Sequence, residues 1–299
     1  MGKATRLKVE LEEVGSLLEI LTVLKDVSSN RFFVYSGKKV NYQKFIDIFF
    51  KFFDLFHGVE ISSPLAQNSQ SGVDILVLTS ELGFMSQLNS RVSALALDEY
   101  SKSPNSRLIC IGLRGAEKCR SLGMAIEKIF SPALDANRFD FAIELRNYLI
   151  ERVNSGVTGQ VKIAYVFAKT LGVLKPHVIE LLPFSAAQKQ HQEEFGLVLR
   201  NVKHNIIFET NIDSIISTLA QIWVQTRIYE MLNDLQIVEA AAQAQQLESA
   251  IEGLSQEKKK VIIDFRKASR EQLNAAMRGV ITSTNMTKAK TRAKAKQGQ

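Results

Sequence analysis

All five prolines, Pro64, Pro104, Pro132, Pro176 and Pro183, fall between residues 64 and 183, leaving none in the first 63 residues or the last 116. Proline removes a backbone donor and its ring clashes with the preceding turn, so it interrupts helix interiors. The two proline-free ends therefore leave room for two very long helices. The apolar spacing agrees. Leu7, Leu11, Val14, Leu18 and Leu21 step by 4, 3, 4, 3, and Tyr42, Phe45, Phe49, Phe52 and Phe56 by 3, 4, 3, 4. Between these stripes, Gly37 and β-branched residues lower helix propensity, so a break is expected, if anywhere, near Ser28 to Asn41. At the other end Leu247, Ile251, Leu254, Lys258, Val261, Phe265 and Ala268 repeat steps of 4 and 3, the seam of a coiled coil. Ile228, Leu232 and Leu235 continue the stripe upstream, and the alanine-rich segment from Ala240 to Ala244 suits close approach of a second helix. As one helix, Ser214 to Ile281 would be ~100 Å long at a rise of about 1.5 Å per residue. Much of it is expected to project from any compact domain.

The middle of the chain differs in kind. The runs VDILVL (73–78), RLICIGL (107–113) and KIAYVFA (162–168) are short, apolar and rich in β-branched residues. Helical patterns at 86–100, 114–130 and 138–153 follow them. Strands alternating with helices at this spacing predict a parallel sheet with helices on both faces. HVIELLPF (177–184) and VKHNIIFE (202–209) are candidates for two further strands. The expected fold is α/β: long N- and C-terminal helices form an antiparallel coiled coil, and a small Rossmann-like parallel-sheet domain is inserted between them. The boundaries read as 1–63 for the N-terminal helix, 64–210 for the α/β domain, 211–283 for the C-terminal helix and 284–299 for a basic tail.

Composition and motifs exclude several kinds of chemistry. Apolar residues make up 45% and charged residues 23%, an ordinary globular balance. No run approaches the ~18 apolar residues of a spanning helix. The opening MGKATRLKVELEEV lacks the apolar core of a secretory signal, and Arg6 breaks a myristoylation pattern. Cys110 and Cys119 are the only cysteines; they form no disulfide framework, fit a reducing compartment, and Cys110 reads as a small buried residue in a strand. Beyond Glu271 there is no acidic residue, and Arg278, Lys288, Lys290, Arg292, Lys294 and Lys296 carry six of the seven net positive charges. The body is thus near neutral, and the tail reads as flexible, with no aromatic residue on which a base could stack. GLRG (112–115) lacks the spacing of a dinucleotide or phosphate loop. Ser80, flanked by Thr79 and Glu81, is no nucleophile elbow. His57, His177, His191 and His204 are scattered, without zinc-ligand spacing. No catalytic, cofactor-binding or metal-ligating residue is expected, and no small-molecule substrate.

The turn after the first strand contains Ser80, Glu81, Leu82, Gly83, Phe84, Met85, Ser86 and Asn89; the second strand ends in Ile111, Gly112, Arg114 and Gly115. Tyr165, Phe167, Pro176, Leu181, Leu182 and Pro183 follow, then Glu239, Ala241 and Ala242, Lys267 and Ala268, and Gly279. In this order and spacing the chain resembles the gamma subunit of rotary F-type ATP synthases, whose corresponding turn has the form S-[DE]-[RK]-G-L-C-G-x-x-N. Here the basic residue, the cysteine and the second glycine of that turn are replaced. The family's N-terminal helix motif has few identities over Glu19 to Ser28, and its Arg-Gln pair stands here as Ser269 and Arg270. The chain is thus similar to a diverged member.

The resemblance implies a non-catalytic central rotor shaft that couples rotation to conformational change in a surrounding catalytic hexamer. Its partners would be an alpha3-beta3-type hexamer, a small epsilon-type stalk subunit and a membrane rotor ring, with nucleic acid not among them. The complex would sit on the cytoplasmic face of a bacterial inner membrane, or on the mitochondrial matrix face. The tail would emerge from, or line, the opening of the hexamer. Ser80, Glu81, Gly83, Asn89, Lys267, Ser269 and Arg270 are the expected partner contacts. The alternative is a coiled-coil adaptor or scaffold protein with an α/β domain and a basic tail.

Overall fold

A computed structural model describes residues 2–53, 61–83, 85–132, 137–195 and 211–296. Helix α1 (Lys3–Phe53) opens the chain. Then come β1 (Val73–Leu78), α2 (Ser86–Tyr100), β2 (Ser106–Ile111), α3 (Leu113–Ser121), β3 (Ile126–Phe130) and α4 (Arg138–Asn154). The hairpin β4 (Gln160–Thr170) and β5 (Val173–Leu182) leads to α5 (Phe184–Phe195) and finally α6 (Ile212–Lys296). Contacts group these elements into two compact units: Val27–Gln245, and Met1–Asp26 with Gln246–Gln299. Both α1 and α6 therefore run through the two units. The reason is packing. Ile46, Phe49 and Phe50 of α1 and Ile216 to Leu232 of α6 belong to the core under the sheet.

In the larger unit the strand order is β3-β2-β1-β4-β5. β3, β2, β1 and β4 are parallel, and β5 runs antiparallel to β4 as an edge. The central strand β1 is buried along its whole length, as a parallel strand covered on both faces must be. Its side chains alternate between two cores. Leu76 and Leu78 face α4, α5 and the two terminal helices, while Ile75 and Val77 face α2 and α3. Cys110 and Cys119 lie in the second core, both fully buried with free thiols.

Several expectations need correction. Residues 114–130 are not one helix. α3 stops at Ser121, where Gly123 adopts φ +80°. The Gly123 N–H donates to Arg120 O and the Met124 N–H to Cys119 O, a Schellman closure that frees Ile126–Phe130 to pair with β2. The expected parallel sheet is present over four strands, and the short turn at Leu171 and Gly172 adds β5 to it as an antiparallel hairpin partner. α1 has no break at Ser28 to Asn41: Gly37 faces open space, and Phe32 is anchored by Ile237, Ala240 and Ala241. α6 runs as helix to Lys296, so the basic tail from 284 begins within it. The expected strand at 202–209 lies outside the described residues.

The smaller unit is an antiparallel helix pair. Lys25 Nζ meets Glu248 Oε2 at 2.7 Å, and ten residues earlier in α1 a Cβ on Gly15 would lie 3.5 Å from Lys258 Nζ, ten residues later in α6. This register brings Ala4 level with Ala268, and both are buried. The larger unit, taken by itself, keeps the same register: Lys39 faces Asp234, and Phe50 lies with its ring centroid 4.8 Å from that of Trp223.

Candidate functional site

The turn after β1 is a closed hydrogen-bond clasp. The Ser80 N–H donates to Asn89 Oδ1 at 2.9 Å, and Asn89 Nδ2 donates back to Ser80 O at 2.8 Å. The Ser80 hydroxyl donates to Glu239 Oε1 of α6 and accepts the Leu82 N–H at 3.2 Å. Ser80 is 1% exposed and Asn89 5%, so both are spent within the chain. Burial without these partners would cost about 1–3 kcal/mol per orphaned group.

Glu81 and Gly83 reach the surface beside α3. Glu81 Oε1 accepts the Arg114 N–H at 3.0 Å, at the start of that helix where a carboxylate is favoured. The GLRG segment is explained by packing on this turn. Gly112 adopts φ +100°, and a Cβ there would lie 2.7 Å from Glu81 Oε1. A Cβ on Gly115 would lie 2.0 Å from Thr79 Oγ1, which itself donates to Ile111 O at 2.6 Å. The glycines make room for Thr79.

Lys267, Ser269 and Arg270 belong to the smaller unit. Lys267 and Arg270 are exposed on α6, and Ser269 is half-buried beside buried Ala268. The expected contacts thus fall into two groups, one in each unit.

A second polar centre escapes sequence reading. Glu230 and Asp234, one turn apart on α6, are buried beside α1. Lys39 Nζ meets Asp234 Oδ2 at 2.8 Å, and Arg227 pairs with Glu230. Burial pushes both carboxyls above their ordinary range, and the neighbouring Lys39 and Arg227 only partly offset it. A cavity of about 270 Å³ adjoins them, lined among others by Phe50, His177, Trp223, Arg227 and Asp234. Its charges are already matched from within, and its aromatic walls already face cations: Lys39 lies over Phe167 and Arg227 over Trp223. Among the described residues no group of three or more His, Cys, Asp or Glu side chains is placed to hold a metal ion.

The smaller unit also carries an apolar exterior. Leu17, Ile20, Val23 and Leu24 of α1 and Leu273, Met277, Val280 and Ile281 of α6 are all exposed. Such a density of exposed apolar side chains marks an interaction surface.

A sequence model of the family described as ATP synthase matches residues 3–294 of this chain. The ATP synthase gamma chain of Lachnoclostridium phytofermentans is 21% identical over 293 residues, covering 95% of this chain and 99% of that one. The gamma chain of Pelotomaculum thermopropionicum is 22% identical over 223 residues, covering 74% and 76%. Among solved structures, a chain from the rotor of the Euglena gracilis mitochondrial ATP synthase superposes with a TM-score of 0.60 at 13% identity, covering 90% of this chain and 98% of that one. A chain from the central stalk and c-ring of the Tetrahymena thermophila mitochondrial enzyme superposes at 0.55 with 17% identity, covering 77% and 99%.

Proposed function

The chain belongs to the ATP synthase family, and on that premise we infer that it works as a diverged gamma subunit, the non-catalytic central stalk of a rotary F-type ATPase. The observation that carries this reading is the family match itself, which runs from residue 3 to 294 through both terminal helices and the inserted sheet. An adaptor built from a coiled coil and an α/β domain would have no reason to match over that whole span.

The geometry supplies what a shaft needs. The helix pair of Met1–Asp26 and Gln246–Gln299 buries Ala4, Val261 and Ala268 between its helices and leaves large apolar side chains outside. A surrounding alpha3-beta3-type hexamer would cover those side chains. A shaft with different side chains on different faces presses unequally on each surrounding subunit, and unequal contact shifts their conformational populations. The α/β unit would form the foot, resting on a membrane rotor ring and holding a small epsilon-type subunit. Glu81 and Gly83, with Leu82 between them, reach the surface of its first turn and are available to such a partner, and Lys267, Ser269 and Arg270 would face the hexamer. No described helix is long and apolar enough to cross a membrane, which fits a peripheral place. We assign it to the cytoplasmic face of a bacterial inner membrane, with the mitochondrial matrix face as the equivalent site. The C-terminal helix to Lys296 would reach the hexamer opening.

Affinity capture of the tagged full chain, followed by mass spectrometry, tests the reading. Co-purification with two larger ATPase subunits in a 3:3:1 ratio is the expected result. A stand-alone homodimer would support the adaptor instead.

A further inference from the structure

We propose that Glu239 and Asn233 are torque-bearing positioning residues, the points at which the sheet domain grips α6 against rolling about its own axis. This rests on the rotor reading above, because only a rotor must carry torque between its sheet domain and its long helix.

Apolar packing is non-directional and gives a helix little reason to prefer one rotation over a neighbouring one. Hydrogen bonds are directional and do. Between Trp223 and Gln245 the sheet domain reaches α6 through a series of side-chain hydrogen bonds. Trp223 Nε1 donates to Leu181 O at 3.1 Å and Arg146 Nη1 to Gln225 Oε1 at 2.6 Å. Arg138 Nη1 donates to Asn233 Oδ1, and the Ser80 hydroxyl to Glu239 Oε1. Gln245 Nε2 donates to Leu171 O at 2.6 Å.

At about 100° per residue, Gln245, Glu239, Gln225 and Asn233 stand about 40°, 160°, 200° and 280° around the helix from Trp223. The grips therefore surround the helix, and the Trp223 side also packs on α1 through Phe49 and Phe50. Rolling in either direction breaks several bonds at once.

Trp223 and Gln245 end on backbone carbonyls of the β4–β5 hairpin, and two of the side-chain-to-side-chain grips are rooted in fixed elements. Ser80 ends β1 and is locked by its clasp with Asn89 and by the Leu82 N–H. Arg138 begins α4, whose Leu145 and Leu149 are fully buried in the core below the sheet. Ser80 to Glu239 joins a buried hydroxyl to a carboxylate, a charge-assisted bond of the stronger kind. It also joins the centre of the sheet directly to α6. Arg146, by contrast, divides its guanidinium between Gln225 and its exposed neighbour Asn147.

The test has two measurements. In the free full-length chain, hydrogen exchange is followed along α6 for Glu239→Ala, Glu239→Gln, Ser80→Ala and Asn233→Ala. The amides of residues 230–245 are expected to exchange about tenfold faster in Glu239→Ala, the effect of losing one charged hydrogen bond. Glu239→Gln, which keeps an acceptor, should lose less. In the assembled motor, the same variants are expected to hydrolyse ATP within about twofold of the parent while ions pumped per ATP against an opposing gradient fall about fivefold. Val238→Ala, which thins the apolar packing of the same turn, is the control and should leave that ratio unchanged. Unchanged protection in Glu239→Ala, or equal uncoupling by Val238→Ala at matched thermal stability, would overturn the proposal. If the chain does not assemble with catalytic subunits but the exchange pattern holds, the grip stands and the rotor reading fails.

Discussion

The same two helices build both units of the molecule in the same antiparallel register, yet the units solve opposite problems. In Val27–Gln245 the inner face of the helix pair finds its cover inside the chain: Phe49, Phe50, Phe184 and Trp223 pack into one aromatic cluster under the sheet, while Phe33 and Ile48 stay exposed on the outer face. In Met1–Asp26 with Gln246–Gln299 the pair has only itself, and Val280 remains 65% exposed where Trp223 is 2%. A seam of small residues such as Ala4 and Ala268 lets two helices approach closely but buries little area. The first unit is stabilised by what the sequence folds onto itself. The second is shaped for cover from outside.

That contrast breaks if the larger unit tolerates loss of its core. Trp223→Ala removes the centre of the aromatic cluster and should cost about 4 kcal/mol of unfolding free energy, measured by chemical denaturation. Asp74→Ala comes next. Arg152 Nε and Nη2 hold the Asp74 carboxylate at 2.6 and 3.0 Å, and Nη1 holds Glu127 Oε1 at 2.9 Å. Removing the buried carboxylate strands a buried guanidinium and should cost about 3 kcal/mol. In the smaller unit Val261→Ala, at one of the few buried sites, should cost about 1 kcal/mol.

Acid titration sharpens the comparison within the larger unit. Burial raises Glu230 and Asp234 above the usual carboxylate range. Their folded-state values exceed the unfolded ones, so their favourable contribution is present at acid pH and fades as pH rises through the folded values. Glu99 has the opposite sign. Burial pushes its carboxyl up, but Lys102 and Lys162 outweigh that and hold it low, so its contribution is lost on acidification. The double variant Glu230→Gln/Asp234→Asn should therefore gain less thermal stability than the parent between pH 7 and about 5. Equal profiles would show that the pair stays paired and charged throughout. The smallest effect is expected for Val280→Ser in the free chain, within about 0.5 kcal/mol.

Much of this plan could be read from residues alone, because its main constraints are local. The absence of proline and the 4-3 stripes predicted α1 and α6, and the short, mostly apolar run VDILVL announced a strand of a sheet covered on both faces. β3 was hidden because IEKIF carries Glu127 and Lys128 at an edge and follows a helical stripe; the φ +80° of Gly123 that separates them is invisible in a hydropathy pattern. The weak point that propensity marked near Gly37 does not interrupt the helix, because propensity is weak beside the packing of Phe32 on Ala240 and Ala241. At the turn, the motif pointed to Ser80 and Asn89 as partner contacts, and in the fold they bond each other. Their task of closing the turn and holding α6 depends on Glu239, 159 residues away from Ser80. Glu230 and Asp234 escaped notice for a related reason. A carboxylate one turn from another on a helix reads as a solvated face, and only the approach of Lys39 and Arg227 turns it into a buried network.

On the rotor reading the exposed apolar side chains of the smaller unit are covered by partner subunits, while the core under the sheet of the larger unit is covered within the chain. Carbene footprinting of the full chain, free and in its affinity-captured complex, tests this most directly. Leu17, Ile20, Leu273, Met277, Val280 and Ile281 should label strongly when free and lose about 90% of that label in the complex, as interface cores exclude solvent, with the β1 segment unlabelled in both. Equal labelling of the helix pair in the two states would show that no partner covers it.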